Sequence, residues 1–233
     1  MDFSGMEKLS LVDFDDNLTA TLFMAGCPFR CPFCHNGELV LHPERAEKIP
    51  FEDILDYLRK RQGVLDAVCI SGGEPTLMND LEAKIRAIRE LGYLIKLDSN
   101  GYNPVVLKDL VAKGLIDYIA MDIKNSKVKY SLTCGVDIDI SRIEESVRFI
   151  MESGIRYEFR TTIMDEFHDY ADMMAIGEWI AGAQRYFLQR YEDRAGCIQH
   201  HFHQIQPQKA KEFKNIIKAY VDDVGFRGYE FND

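Results

Sequence analysis

Short apolar, β-branched runs recur along the chain, each followed by a stretch with the three- and four-residue spacing of an amphipathic helix. The predicted strands are 18–24, 67–71, 93–97, 118–121, 157–163 and 186–191. The predicted helices are 51–62, 80–91, 104–113, 142–153, 170–181 and one near 209–223. This alternation is typical of parallel strands joined by crossover helices. It predicts an α/β fold, a partial TIM barrel of the (β/α)6 type with a curved parallel sheet.

The length of 233 residues and the hydrophobic fraction of 46% suit one core, and single-domain barrels reach this size. We therefore expect a single domain over residues 1–233. Within it, residues 193–208 are a long polar loop after the sixth predicted strand, and residues 209–233 form a C-terminal helix and tail. Long polar loops tend to carry function, so 193–208 is expected to lie over the site or to face a partner.

The charge pattern narrows the choice of partners. The formal net charge is -10 and no block dense in Lys or Arg occurs, so an extended phosphate-binding surface would oppose the protein's own field. No run of about 18 apolar residues is present, as a membrane span requires, and the N-terminal stretch lacks the apolar core of an export signal. We expect a cytoplasmic protein that binds neither nucleic acid nor membrane.

Three of the six cysteines crowd into one short segment, Cys27-Pro28-Phe29-Arg30-Cys31-Pro32-Phe33-Cys34, directly after the first predicted strand. In a chain without export features this crowding favours a metal site over disulfides. Clusters ligated entirely by protein use four cysteines, so three from one loop leave an iron open to another ligand. Two alternatives remain, a Cys3His zinc site with His35 and cysteines that only pack.

The spacing Cys-x3-Cys-x2-Cys, with Phe33 before the last cysteine, resembles the signature of the radical S-adenosylmethionine (radical SAM) superfamily. By this resemblance, Cys27, Cys31 and Cys34 hold a [4Fe-4S] cluster whose open iron binds S-adenosylmethionine. A second resemblance follows the second strand, where Gly72-Gly73-Glu74 matches the Gly-Gly-Glu motif that contacts the amino group of the cofactor's methionine part. Two glycines permit a close backbone approach and a carboxylate can pair with an ammonium.

Two further motifs resemble those of glycyl-radical activating enzymes. Asp98-Ser99-Asn100-Gly101 follows the third predicted strand and resembles their Asp-Thr-Asn-Gly, while Asp122-Ile123-Lys124 follows the fourth and resembles their Asp-x-Lys. In those relatives the two aspartates help hold a monovalent cation, Na⁺ or K⁺, beside the cofactor's carboxylate, and the Asn position lies near its ribose. The resemblance implies these roles for Asp98, Ser99, Asn100, Asp122 and Lys124.

Two roles are equally consistent with the position of Arg160 on the fifth predicted strand. It can reach a carboxylate of the cofactor, or it can be a structural ion-pair partner. The polar motifs nevertheless share one property, because each lies at the carboxyl end of a predicted strand. Active sites of barrels form at that edge, so the motifs are expected to meet there.

The resemblance extends over nearly the whole chain and is closest to activating proteins of anaerobic ribonucleoside-triphosphate reductase of the longer type, which are similar to pyruvate formate-lyase activating enzyme. It implies that the reduced cluster cleaves the cofactor to methionine and a 5′-deoxyadenosyl radical, which removes a hydrogen from a glycine of a partner enzyme. The implied partners are a glycyl radical enzyme and a flavodoxin or ferredoxin-type electron donor, under anaerobic conditions.

Other readings stay open. A radical SAM enzyme acting on a small molecule, such as a deazapurine-forming synthase, shares the same motifs, and a zinc-stabilised binding module would use the same cysteines. Phe14-Asp15-Asp16 and Pro28 depart from common family patterns and bear on the partner more than on the chemistry. No second Cys-x2-Cys occurs among the remaining cysteines, so no auxiliary cluster is expected, and His200, His201 and His203 fit a solvated or partner-facing loop better than a second metal site.

Overall fold

The fold is one continuous curved sheet with helices packed on its outer side, seen in a computed structural model that describes residues 2–231. The strands are β1 (Phe3–Ser10), β2 (Thr19–Met24), β3 (Ala67–Gly72), β4 (Leu94–Ser99), β5 (Tyr118–Asp122), β6 (Arg156–Ile163), β7 (Arg185–Arg190) and β8 (Asp223–Arg227). The helices are α1 (Gly37–Leu41), α2 (Phe51–Arg59), α3 (Leu81–Glu90), α4 (Pro104–Ala112), α5 (Tyr130–Cys134), α6 (Ile140–Glu152), α7 (Tyr170–Trp179) and α8 (Pro207–Ile217).

The strands follow one another across the sheet in sequence order, from β1 to β8. β1 is antiparallel to β2, and every later pair is parallel. Parallel neighbours require a crossover connection, which the helices supply between β2 and β8. The terminal strands β1 and β8 do not pair with each other, so the barrel is open, and the predicted partial barrel is confirmed.

The structure adds two strands to the six that were predicted. β1 was not predicted because its sequence, FSGMEKLS, is largely polar and contains a glycine, so it carries no apolar alternation. β8 was hidden because the last helix was predicted to run to 223, whereas α8 ends at Ile217 and leaves room for a short strand. The barrel therefore has eight strands in the described part of the chain, with the (β/α)6 unit inside it.

The amino-terminal end of the barrel is closed by the segment between β1 and β2. Phe14 is buried there, with its ring centroid 5.3 Å from that of Tyr118. The two rings form a small apolar cluster with Ala67 and Ala120, separate from the main core between sheet and helices. Burying an aromatic ring contributes apolar stabilisation, so Phe14 helps to hold the segment between β1 and β2 against the amino-terminal ends of the strands.

The inner face of the barrel above this plug is charged and paired. Lys96 is buried, with its Nζ donating to the Asp13 carbonyl and lying 3.8 Å from Glu158 Oε1. Arg227 donates to Glu158 Oε2 at 2.8 Å, and the Tyr118 hydroxyl donates to the same oxygen at 3.1 Å. Buried charges are tolerated only when paired, and this chain of pairs leads from the plug up to the carboxyl ends of the strands.

The polar segment 193–208 is tied to the rest of the molecule. Gly37 N donates to Gly196 O at 2.9 Å, Ile198 N to Cys34 O at 3.2 Å and Gln199 N to Pro32 O at 2.7 Å. This contact requires a glycine at position 196, since a Cβ there would lie 2.4 Å from His35 O. Residues 196–199 of this segment thus lie against the cysteine-containing loop. Among residues 2–231, none of the helices combines the length and apolar character needed to cross a bilayer.

Candidate active site

The cysteine loop, residues 25–36 between β2 and α1, is held from three sides. Gly26 N donates to Leu39 O at 2.8 Å, and Arg30 N donates to Cys134 O at 2.8 Å. The Arg30 guanidinium folds back onto its own loop and donates to the carbonyls of Cys27 and Phe29, at 2.6 and 2.8 Å. With residues 196–199 on its other side, the loop has a fixed path and presents its side chains to a single cavity.

Cys27, Cys31 and Cys34 are all free thiols that line this cavity. Burial, reinforced by the charge of Glu74, raises the pKa of Cys27 to about 12, and burial also raises the pKa of Cys34. A hydrogen bond with Cys134 lowers the pKa of Cys31. Within the part of the chain that the structure describes, no three His, Cys, Asp or Glu side chains converge as ligands of one metal ion, so the three sulfurs border a wider space.

This donor set fits an iron-sulfur cluster. Thiolates are costly at the buried positions of Cys27 and Cys34 unless a metal neutralises them. Cys27 Sγ already accepts from Phe29 N at 3.4 Å and from Asn100 Nδ2 at 3.6 Å, and such donors are the usual surroundings of cluster sulfurs. Three thiols from one loop therefore suit three irons of a cluster, with one side of the cavity left for another ligand.

The two glycines after β3 make close contact with the chain rather than open a space for a ligand. A Cβ on Gly72, where φ is +114°, would lie 2.3 Å from Met24 N, and one on Gly73 would lie 2.0 Å from Gly26 O. Gly73 N and Glu74 N donate to the carbonyls of Met24 and Gly26, at 2.7 and 2.8 Å. The glycines thus bring β3 against the start of the cysteine loop, and both still line the cavity.

Glu74 lies behind the cavity wall and is almost completely buried. Its carboxylate accepts from Thr76 N and Oγ1, at 3.1 and 2.6 Å, from Ser99 Oγ at 2.9 Å and from Asn100 N at 2.7 Å. Burial raises its pKa, although these donors act in the opposite direction. The residue joins the ends of β3 and β4, with its Oε1 accepting from Thr76 and Ser99 and its Oε2 accepting only from Asn100 N.

Asp98 and Asp122 meet at the mouth of the barrel around Arg160. The Arg160 Nε donates to Asp122 Oδ1 at 3.0 Å, and its NH1 lies 3.4 Å from Asp98 Oδ2. Lys124 Nζ donates to Asp122 Oδ2 at 2.9 Å. Burial alone would raise the pKa of both aspartates, but neighbouring cations hold each pKa below its usual range. For Asp98 these cations are Arg160 and Lys96. For Asp122 they are Lys124 and Arg160. All four predicted residues are therefore charged and face one cavity.

Ser99, Asn100 and Phe33 complete the predicted set, and each lines the cavity. Ser99 Oγ is bound to Glu74, while Asn100 fixes itself by accepting from Tyr102 N at 2.9 Å. Phe33 is buried with its ring centroid 6.0 Å from that of Phe167. Every predicted site residue except Glu74 thus borders the same cavity at the carboxyl ends of the strands.

Several residues that sequence reasoning did not single out share this cavity. Asn36 donates to Gly72 O at 2.9 Å and links the cysteine loop to β3, and Thr162 and Gln189 extend the wall along β6 and β7. Thr162 could have been found, because it follows Arg160 by two positions on the same strand and so faces the same side. His168 lies outside the wall, where its Nδ1 accepts from Met164 N at 3.3 Å and its Nε2 binds Lys124 O at 3.0 Å.

Sequence comparison places these features in a known family. The radical SAM superfamily profile matches residues 21–176. A protein of Methanocaldococcus jannaschii named "Putative glycyl-radical enzyme activating enzyme" is 32% identical over 234 residues, covering 96% of this chain and 95% of its own length. A second protein of that organism with the same description is 26% identical over 184 residues, covering 77% of this chain and 68% of its own.

Solved structures share the fold at low sequence identity. Streptococcus suis SuiB bound to S-adenosylmethionine aligns with a TM-score of 0.69 at 16% identity, covering 91% of this chain and 55% of that one. A domain of pyruvate-formate lyase-activating enzyme from Bacteroides vulgatus aligns with a TM-score of 0.55 at 18% identity, covering 70% of this chain and 99% of that one. The profile match over most of the barrel and the full-length relative at 32% identity agree with the motifs, and this chain belongs to the radical SAM superfamily.

Proposed function

We propose that this radical SAM enzyme is an activase that takes a hydrogen atom from a glycine of a partner enzyme, an anaerobic ribonucleotide reductase, and so installs a glycyl radical there. Similarity over 96% of the chain to a protein named as an activating enzyme of this kind supports the proposal. The observation that carries it is the meeting of three free thiols with the Asp98–Arg160–Asp122–Lys124 group in one cavity.

Membership of the superfamily implies a [4Fe-4S] cluster and S-adenosylmethionine. When bound, the cluster supplies the electron that splits the cofactor into methionine and a 5′-deoxyadenosyl radical. Cys27, Cys31 and Cys34 would hold the cluster, and backbone hydrogen bonds fix the path of their loop. Because ligands on a fixed loop need little ordering on binding, the chain favours one placement of the cluster.

The cofactor's polar ends would be received by the strand ends. Lys124 and Arg160 present two buried cations to the cavity, and a carboxylate is their natural partner. Gly72, Gly73 and the Glu74 segment would border the amino group, with Ser99 and Asn100 bordering the ribose side and Phe33 closing the apolar wall beside Cys34. These assignments rest on position in the cavity and on the family resemblance.

A monovalent cation, Na⁺ or K⁺, belongs to the same proposal. Asp98 and Asp122 would supply its carboxylate oxygens, and Asp98 Oδ1 is a buried acceptor without a hydrogen-bond donor in the described residues. The Arg160 guanidinium now bridges the two carboxylates. Because Lys96 Nζ lies 3.6 Å from Asp98 Oδ1, a bound cation would share the negative charge of the two carboxylates with both Arg160 and Lys96.

The remaining parts of the proposal concern setting. The chain would act as one domain in the cytoplasm of an organism living without oxygen, reduced by a flavodoxin or a ferredoxin-type protein. Its substrate would be a polypeptide, because the barrel is open beside β8 and a chain segment can enter there.

The decisive experiment is anaerobic mixing of the reduced enzyme, S-adenosylmethionine and a candidate reductase. We expect about four irons per chain, release of 5′-deoxyadenosine and methionine, and a glycine-centred electron paramagnetic resonance doublet in the complete mixture alone. Zinc in place of iron would refute the radical enzyme. Robust cofactor cleavage without a doublet, across a panel that includes the glycyl radical enzymes of the source organism, would refute the activase and favour a small-molecule substrate.

A further inference from the structure

A second cavity opens from the first toward the free edge of the sheet. His35, Thr162 and Gln189 line both cavities, and beyond them the second is bordered by Arg190, Glu192, Arg194, Arg227 and Gly228. Thr162 on β6 is in register with Gln189 on β7, which is in register with Arg227 on β8. The three side chains therefore form a row at the carboxyl ends of the last strands, leading from the cofactor cavity to the open edge at β8.

Arg190 differs from the other arginines of this region in its partners. Its Nε donates to Gln204 Oε1 at 2.9 Å and its NH1 to Gly228 O at 3.3 Å, and both acceptors are neutral. By contrast, Arg194 lies 2.5 Å from Glu192 and Arg227 lies 2.8 Å from Glu158. Among residues 2–231, no carboxylate oxygen comes within 4.0 Å of the Arg190 guanidinium.

The carboxylate of Glu192 lines the same cavity and interacts electrostatically with Arg190, but its close ion pair, at 2.5 Å, is with Arg194. A half-buried cation has lost part of its hydration, so pairing with an anion stabilises it. The cofactor does not need this residue, since Lys124 and Arg160 already face the first cavity, whereas Arg190 lies only on the second. Its charge is thus available to whatever enters from the open edge.

The neighbouring groups offer hydrogen-bond donors in the same space. Gln189 Oε1 accepts from Thr162 Oγ1 at 3.4 Å, which leaves the Gln189 amide NH₂ without an acceptor in the described residues. The His35 ring, which also borders this cavity, likewise has no hydrogen-bond partner in the described residues. A ligand rich in acceptor oxygens, such as carbonyls and a carboxylate, would satisfy these groups.

We propose that Arg190 and Gln189 form a substrate subsite that binds an acidic side chain of the incoming polypeptide, close in sequence to the glycine that loses its hydrogen. This inference rests on the proposed function for the identity of the ligand as a polypeptide. Arg190 pairs with the carboxylate and Gln189 donates to a main-chain carbonyl of the same segment. Both are positioning residues, since neither touches the reacting atoms.

The test is binding of labelled heptapeptides to the cluster- and cofactor-loaded enzyme under anaerobic conditions, followed by fluorescence anisotropy. Each peptide has a central glycine, blocked ends and one Asp at a different position, and each is compared with its Asn counterpart. We expect one Asp peptide to bind about tenfold more tightly than its Asn form, as a charge-assisted pair provides. A further peptide lacks Asp but has a free terminal carboxylate. Comparing its affinity with that of the Asp peptides shows whether the subsite binds a side-chain carboxylate or the end of a chain.

The matched variants are R190Q and R185Q, which lie on the same strand about 16 Å apart at its opposite ends. R190Q should abolish the Asp preference and R185Q should keep it, and R190E should reverse it toward a Lys peptide. A wild-type enzyme with no Asp preference, or a preference that survives R190Q, would overturn the subsite. Failure of the activase itself is read separately, as an absent glycyl doublet, because peptide binding does not require the radical step.

Discussion

The backbone of Gly73 lies against that of Gly26 so closely that a Cβ on Gly73 would stand 2.0 Å from the Gly26 carbonyl oxygen. The G73A variant should therefore push β3 away from the cysteine loop and disturb both the cluster and the cofactor pocket. We expect the fold to persist, with cluster content falling at least severalfold and S-adenosylmethionine affinity falling about tenfold or more. Iron analysis and equilibrium titration of the cofactor measure the two effects.

The G5A variant is the matched control for this change. A Cβ on Gly5 would meet only the Phe23 ring, at 3.5 Å, which is ordinary contact, and neither glycine is in the left-handed region. G5A should thus leave iron content and cofactor affinity as in the wild type. Equal behaviour of the two variants would show that the close approach at Gly73 does not shape the site.

The cysteines provide the second prediction. Replacing Cys27, Cys31 or Cys34 by alanine should abolish cluster binding, because each removes one of three protein ligands. Cys69→Ala, Cys134→Ala and Cys197→Ala should retain the cluster. Visible absorbance and iron content after anaerobic reconstitution distinguish the sets. Retained cluster absorbance in the first set would contradict the assignment, and the buried Cys69, on β3, is the control for loss of a core thiol.

The third prediction concerns the charged group at the mouth. Asp122→Asn removes the carboxylate that orients both Arg160 and Lys124, at 3.0 and 2.9 Å, so S-adenosylmethionine affinity should fall about tenfold while the cluster is retained. Any dependence on Na⁺ or K⁺ should weaken at the same time, and Asp98→Asn should act in the same direction. Asp109→Asn on exposed α4 is the control. Cofactor titrations unchanged in both site variants would refute the proposed role.

The fourth prediction is a pH dependence carried by His168. Burial lowers its pKa below the ordinary value of 6.5, so the folded protein resists a proton that the unfolded chain accepts. The stability linked to this residue is therefore present above about pH 6.5 and is lost as the pH falls below it. Urea unfolding between pH 7 and pH 5 should show this loss.

His168→Gln should reduce the slope of that decline, because the variant has no group to protonate. The same variant reports on the site, since the His168 ring binds the carbonyl of Lys124. An identical slope in wild type and His168→Gln would rule out this residue as the origin of the effect.

Much of the fold and of the site was predictable from local patterns, for a definite physical reason. The inner six strands are largely buried and most of them contain short apolar runs, and parallel strands bring their carboxyl ends to one edge. Motifs following Ser71, Leu97 and Met121 therefore had to meet there. β1 and β8 lie at the edges of the sheet, where burial imposes less on the sequence, and neither was predicted.

The orientation of side chains was less accessible. The sequence around Glu74 does not show whether its carboxylate faces a ligand or accepts hydrogen bonds from the protein. Two of its donors, Ser99 and Asn100, come from the end of another strand. The second cavity depends on the register of β6, β7 and β8. This register brings together Thr162, Gln189 and Arg227, which are far apart in the sequence. Residues 196–199 contact the cysteine loop. The sequence did not indicate that Gly196 is needed for this close approach.

The hydrogen bonds from residues 198 and 199 to the cysteine loop have a consequence for how the protein matures. The segment that clamps the loop of the three cysteines is synthesised more than 160 residues after them. Contacts so distant in sequence close late in folding. Until residues 198 and 199 have been synthesised, a nascent chain thus carries three thiols on an unclamped loop, and the geometry that would hold a cluster is complete only after this late contact forms.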